Sequence, residues 1–226
     1  MVRALVSRLK WAAVFLALGS LVPVWIYRLV PIPVTPLMCI RLVERFVKGE
    51  ELKFEKQWIT IDEISPYLPL AVIAAEDQNF LSHYGIDFDA IQKALHKNRK
   101  SKNLYGASTI TQQVAKNVFL WPHRSWIRKI FELYYSCLIE LFWSKKRIME
   151  VYLNVIEWGD GIYGALQATQ AYFHHSPKQL SREEAALLAA VIPNPRVWRS
   201  DRSTPYVLKR KAWILRQMRY MPLPRW

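Results

Sequence analysis

Four stretches of this 226-residue chain carry ionisable and polar side chains at spacings that could do chemistry. In AAEDQNFLSHYGID, residues 74–87, Glu76 and Asp77 close a segment whose preceding turns are Leu, Ala, Val and Ile. A carboxylate among apolar neighbours loses hydration, its proton affinity rises, and it becomes a competent general base. A plain solvated helix end would read the same way. In GASTITQQVAKN, residues 106–117, Ser108, Gln112 and Lys116 stand four apart, which on a helix puts them on one face. A hydroxyl, an amide and an ammonium in a row suit a sugar phosphate or pyrophosphate near a helix N-terminus; the alternative is a solvated polar face. In RSWIRKIFELYY, residues 124–135, Arg124, Arg128 and Glu132 repeat that spacing with Lys129 adjacent. Taken alone this is a salt-bridge ladder worth tenths of a kcal/mol per rung; it also fits an anion site with an acid beside it. In residues 144–173, Lys146, Glu150 and Asn154 share a face that by itself reads as structural, with Gly159, Gly161 and Gly164 setting turns.

Positioning these groups falls to helices. Ser65-Pro66 offers an N-cap with Pro at the first helical position, opening a helix through Leu70, Ile73 and Ala74. Asp87 can cap a helix over 88–97. The polar, basic residues 96–103 lack periodicity and read as a mobile loop. Helices are expected over 109–117, 125–142, 144–158 and 162–173, the third capped by Ser144. Ser181 with Glu184 forms a capping box for a helix that Pro193 ends, and Thr204-Pro205 opens the last one, through Met218. Period-two alternation is nearly absent; residues 58–61 are the one weak strand candidate. The fold class is mainly α, with no internal repeat.

The N-terminus reads as a membrane segment. Residues 11–27 carry no charge, and at about 1.5 Å per residue the run just reaches across a hydrocarbon core. Arg3, Arg8 and Lys10 precede it, which places the N-terminus in the cytoplasm and everything after Arg28 outside. A cleaved signal peptide fits less well, because the small residues Ala17 and Gly19 lie inside the apolar run. Pro31, Pro33 and Pro36 then read as a stiff, extended stalk. The expected organisation is a cytoplasmic N-terminus over 1–10, a transmembrane anchor over 11–29, a stalk over 30–49 and a catalytic domain over 50–226.

Composition narrows the partners. A hydrophobic fraction of 52% supplies a core and excludes disorder. Thirty-two Lys and Arg against 18 Asp and Glu give a net charge of +14, which calls for an anionic partner: nucleic acid, anionic lipid or a phosphorylated substrate. The topology argues against nucleic acid. Cys39 and Cys137 have no metal-ligand spacing and read as unpaired packing residues. There is no Walker A loop, Rossmann glycine pattern, HExxH or CxxC, and Ser7-Arg8-Leu9-Lys10 lies on the cytoplasmic side without a Lys-Thr-Gly partner.

In order, EDQNFLSHYGID, GASTITQQVAKN, RKIFE, SKKRIMEVYLN with GDGIYG, and EEAALLAAVIPNP resemble the blocks of the peptidoglycan glycosyltransferases, glycosyltransferase family 51. The resemblance covers residues 62 to about 220 and looks like the monofunctional form without a transpeptidase domain. It implies a mainly helical, lysozyme-like fold with a membrane-contacting lobe, and lipid II as substrate. Glu76 would be the general base that takes the acceptor sugar's 4-hydroxyl proton, and Glu132 the second glutamate, organising the leaving pyrophosphate or its cation. Ser108, Lys116 and Arg124 match phosphate-holding positions; Gln112 and Gln113 line the cleft; Asp77, Thr109, Arg128 and Asn154 fall in the substrate-contacting set. No cofactor is implied, although a divalent cation (Mg or Mn) at the pyrophosphate is compatible. The implied partners are lipid II, the growing glycan strand, membrane lipids and other cell-wall synthesis proteins, at the inner membrane with a periplasmic catalytic domain. Three departures stand out: Phe131 where some members carry lysine, Gln167 and Thr169 where Glu and Ala are expected, and His174-His175 in place of Gly-Lys. Two other classes remain: a lysozyme-like enzyme that cuts glycan, which has no use for a phosphate row, and a membrane-tethered scaffold, which needs neither glutamate.

Overall fold

The computed structural model describes residues 2–100, 106–123, 125–201 and 204–226, without the side chains at 2–6, 8, 9, 12, 13, 15–17 and 100. Helices dominate, as the periodicity requires. Helix α3 (Tyr67–Glu76) is apolar all round, and Leu68 to Ala74 are buried in sequence; a helix with no polar stripe belongs inside the body. It packs against α9 (Arg182–Val191) and α10 (Pro205–Arg219), which also pack on each other. Beside this group α5 (Ile110–Phe119) lies against α6 (Trp126–Phe142) and α7 (Lys145–Val155). Glu140 of α6 joins the three: its Oε1 accepts from Thr111 Oγ1 at 2.6 Å and from Lys145 Nζ at 2.7 Å. Helix α4 (Phe88–Lys100) and helix α8 (Ala165–Phe173) complete this part.

Most starts follow the caps read from the sequence. Ser125, Ser144, Ser181 and Thr204 each accept a backbone N–H in the first turn, and Asp87 Oδ1 accepts from Ala90 N at 2.8 Å. Ser65 does not cap α3: its hydroxyl donates to the Leu180 carbonyl at 2.8 Å, and Pro66 takes the cap position. The expected loop over 96–103 is helical up to Lys100, inside α4; its remainder lies outside the described residues.

Two expectations are corrected. The stalk over 30–49 contains a helix, α2 (Pro36–Lys48), with Thr35 as its cap, Pro36 in the first turn and Gly49 closing it in the left-handed region at φ 66°. Met38 is fully buried and α2 packs on α5, so this segment belongs to the body. Proline reads as a helix breaker, yet at a first turn its missing N–H costs nothing. The strand expected over 58–61 does not form either. The small sheet uses β1 (Glu55–Lys56), β2 (Glu157–Gly159) and β3 (Ile162–Tyr163) in the order β1-β3-β2, with β1 parallel and β2 antiparallel to β3.

Helix α1 (Val2–Tyr27) covers the charge-free run and contains Pro23. Its C-terminal turns dock on the body. Ser20 Oγ lies 2.8 Å from the Tyr134 hydroxyl, and Trp143 Nε1 donates to the Val24 carbonyl at 2.7 Å. Arg147 donates to the Tyr27 carbonyl from Nε and Nη2 and to the Val30 carbonyl from Nη2, at 2.6–3.1 Å. Among the described residues no helix is long and apolar enough to cross a membrane. Cys39 and Cys137 are free, and exposed rather than packed.

Candidate active site

Glu76 is the last residue of α3, so the burial of that helix carries its carboxylate inward. Four helices converge on it. Its Oε1 accepts from Arg210 Nη2 of α10 at 3.0 Å, and its Oε2 from Gln113 Nε2 of α5 at 2.9 Å. The Gln113 Oε1 in turn accepts from the Tyr152 hydroxyl of α7 at 3.2 Å. Burial pushes the Glu76 carboxyl above its ordinary value; Gln113, Arg210 and the charge of Lys116 oppose that push without cancelling it. The sequence anticipates this direction from the apolar run. Arg210 and Tyr152 escape a reading by motif, because Arg210 lies 134 positions from its partner and Tyr152 resembles any core tyrosine.

The neighbouring carboxylate has a different role. Asp77 Oδ2 accepts from the Ile110 backbone N at 3.0 Å, holding the first turn of α5, and both oxygens lie 2.9–3.0 Å from His83 Nε2. Thr109 caps the same helix through Gln112 N and donates to the Gly85 carbonyl at 2.6 Å. Gly85 sits at φ 79°, where a Cβ would come within 3.1 Å of the Glu140 side chain and 3.3 Å of the Ser136 carbonyl. Asp77 and Thr109, expected to hold substrate, thus spend their polar atoms placing α5, although both border a cavity. Asn154, placed in the substrate set by resemblance, has the structural surroundings its own pattern suggested. It is fully buried, its Oδ1 accepting from Ile59 N and its Nδ2 donating to the Ile59 and Glu150 carbonyls, all within 3.0 Å. An amide side chain that satisfies one residue's N–H and C=O replaces the strand neighbour Ile59 would otherwise need.

Two cavities meet at Ser108. One, of about 280 Å³, is bordered by Glu76, Asp77, Lys93, Ser108, Thr109 and Trp213, among others. The other, of about 480 Å³, is bordered by Ser108, Gln112, Gln113, Lys116, Arg128, Lys129 and Glu132, with Pro122. The expected row therefore faces one space, with Ser108 exposed at the junction. Arg124 lies outside the described residues. Glu132 is buried between two cations: Arg128 Nη1 donates to its Oε2 at 2.7 Å and Lys129 Nζ to its Oε1 at 2.5 Å. Lys129 also donates to Gln112 Oε1 at 3.2 Å, and Arg128 Nε is buried without a hydrogen-bond partner among the described residues. The ladder forms between Arg128, Lys129 and Glu132, and the same ridge borders the cavity. Lys129, noticed only as adjacent to the row, lies at its centre.

Residues 43–219 match the transglycosylase family. The chain belongs to that family. Relatives named biosynthetic peptidoglycan transglycosylase are similar over nearly its whole length. That of Bacteroides thetaiotaomicron is 51% identical over 210 residues, covering 92% of this chain and 84% of the relative. That of Pseudomonas putida KT2440 is 50% identical over 218 residues, covering 96% and 92%, and that of Bdellovibrio bacteriovorus 50% over 212, covering 92% and 85%.

Against this family background the sequence departures find local explanations. Phe131 is exposed on α6 and meets Trp121 edge-on at 6.4 Å, so it adds no charge to the cavity. Thr169 is fully buried, and its hydroxyl donates to the Ala165 carbonyl one turn back at 2.7 Å. His174 closes α8 at φ 60°, the backbone region where glycine is unstrained, and His175 lies 3.1 Å from Glu184. A resident divalent cation is poorly matched by Glu132, since both carboxylate oxygens already receive a cation. Asp77, His83 and Asp87 are the cluster of ligand-type atoms close enough to share a metal among the described residues. Their carboxylate oxygens are taken by Ile110 N, Ala90 N, Asn79 and His83 itself, so the cluster is accounted for as a polar brace.

Proposed function

We propose that this transglycosylase polymerises lipid II into β-1,4-linked glycan strands. The observation that carries the reading is the pairing of Glu76, a largely buried carboxylate at one cavity, with a basic second cavity that shares Ser108 with the first. In the first, Glu76 takes the proton of the acceptor sugar's 4-hydroxyl. That oxygen bonds to the anomeric carbon of the growing strand with inversion, and the carbon–oxygen bond to undecaprenyl pyrophosphate breaks, its electron pair leaving with the pyrophosphate. In the second, Lys116, Arg128, Lys129 and the Ser108 hydroxyl neutralise the departing charge, Gln112 and Gln113 line the way, and Arg124 joins them by resemblance. Preorganised donors at a developing anion are the strongest aid a site of this kind can give. One acid–base group suffices because pyrophosphate leaves without protonation, unlike the alcohol leaving group of a glycosidase. Glu132 holds the cations in place.

The same reading places the body outside the inner membrane, with α1 as a single anchor. Its support is the charge-free run Trp11–Tyr27 behind Arg3, Arg8 and Lys10. Beside α6, Leu120 is core and Phe119 stacks on Tyr135, whereas Trp126, Ile127, Ile130 and Leu141 of α6 are exposed. That face and the net positive charge suit anionic headgroups.

Purified protein given labelled lipid II should yield long polymer that lysozyme digests. Shortening of added glycan without polymer would favour a cutting enzyme, and no reaction a scaffold. A reporter active only outside the cytoplasm, fused at the C-terminus, should be active; a cytoplasmic reporter lighting up instead would reverse the topology.

A further inference from the structure

The hydrogen bond from Gln113 to Glu76 has a direction that something must set. The two ends of an amide have the same shape, and which one faces a partner is decided by the surrounding network. Tyr152 stands behind this one. It is fully buried on α7, and Gln113 is its one hydrogen-bond partner among the described residues. We propose that Tyr152 is a positioning residue whose phenol holds the Gln113 amide with its NH₂ toward Glu76, keeping that carboxylate in the ionised form that can accept a proton. The inference rests on the reading of Glu76 as the base.

The argument is one of donor counting. With Glu76 ionised, the phenol proton goes to Gln113 Oε1 and an amide N–H goes to Glu76 Oε2, so neither of these two donors is left without an acceptor. If Glu76 is protonated and the amide turns over, the carboxyl O–H donates to Gln113 Oε1 and the NH₂ faces the phenol oxygen. The phenol proton is then left without an acceptor in a dry interior, and a buried orphan donor is unfavourable. Tyr152 therefore biases a choice that Gln113 alone leaves nearly balanced. The other charged groups acting here are Arg210 from α10, Lys116 from α5 and Asp77 beside Glu76. Among the described residues Arg210 meets Glu76 Oε1 and Asp77 meets the Ile110 N–H, not the amide oxygen.

The test is the pH dependence of kcat/KM for lipid II polymerisation in the full-length protein. Tyr152→Phe should move the acid limb up by about half to one pH unit, the scale of one neutral hydrogen bond, and regain most of the parent rate on the alkaline side. A merely structural role lowers the rate equally at every pH and leaves the limb in place, which would overturn the proposal. Gln113→Leu should move the limb the same way and at least as far, and adding Tyr152→Phe to it should move it no further. Should Tyr152→Phe fail to fold, an unmoved limb in Gln113→Leu alone would sink the idea. A Glu76→Gln protein that still polymerises would remove the base assignment itself. An inactive Glu76→Gln protein with an unmoved limb in Tyr152→Phe removes only this inference.

Discussion

Glu76 and Glu132 are both withdrawn from water, yet their surroundings differ in kind. Glu76 ends an apolar helix and meets one guanidinium and one amide, so burial wins and its proton affinity rises. Glu132 stands on an amphipathic helix, one turn from Arg128 and Lys129, and each of its oxygens receives a cation. Depth alone does not give a carboxylate its job. The charge supplied around it matters as much, and on the proposed reading Glu76 accepts a proton while Glu132 holds cations.

The hardest blow to this contrast would come from Glu76→Gln. That change keeps size and most hydrogen bonding but cannot take a proton, so polymerisation should fall by about 10²–10⁴ or more while lipid II still binds. An active Glu76→Gln enzyme would break the comparison outright. Glu132→Gln should be milder, a loss on the order of ten- to a hundredfold, because Arg128 and Lys129 remain to meet the pyrophosphate. If it matched Glu76→Gln in kcat, the two sites would no longer be distinct. Lys116→Ala and Lys129→Ala should each cost about tenfold in kcat/KM and make substrate use less sensitive to salt. Parent kinetics in both would return the row to an ordinary solvated ridge.

The subtlest test is stability. A carboxyl whose folded-state proton affinity is raised destabilises the fold once ionised: the penalty is full above its folded pKa and absent below its unfolded value of about 4.5. Glu76→Gln should therefore melt higher than the parent at neutral pH, and the advantage should vanish as pH falls toward 4.5. A variant that melts lower at pH 7 would mean the pair with Arg210 outweighs burial.

What the sequence made legible follows from how locally each feature is encoded. Caps at Ser125, Ser144, Ser181 and Thr204 involve residues three apart, and they were readable. Glu76 was readable because the seven residues before it are apolar. Asn154 read as structural from its own pattern and only the resemblance put it in the substrate set; its partner, Ile59, is 95 positions away and is bound through the backbone, which carries no residue signature. Arg210 and Tyr152 reach Glu76 and Gln113 only through tertiary packing. Helix α2 was misread from its prolines, whose effect depends on which turn they occupy.

The grip of Arg147 and Trp143 on the end of α1 has a mechanical consequence. Three carbonyls, of Val24, Tyr27 and Val30, are held by side chains at the α6–α7 corner. A helix fastened at several points cannot swivel on its connecting chain as a tethered float would; it acts as a handle. Through Arg147 that handle is attached to α7, the same helix that carries Tyr152 behind the Gln113–Glu76 pair.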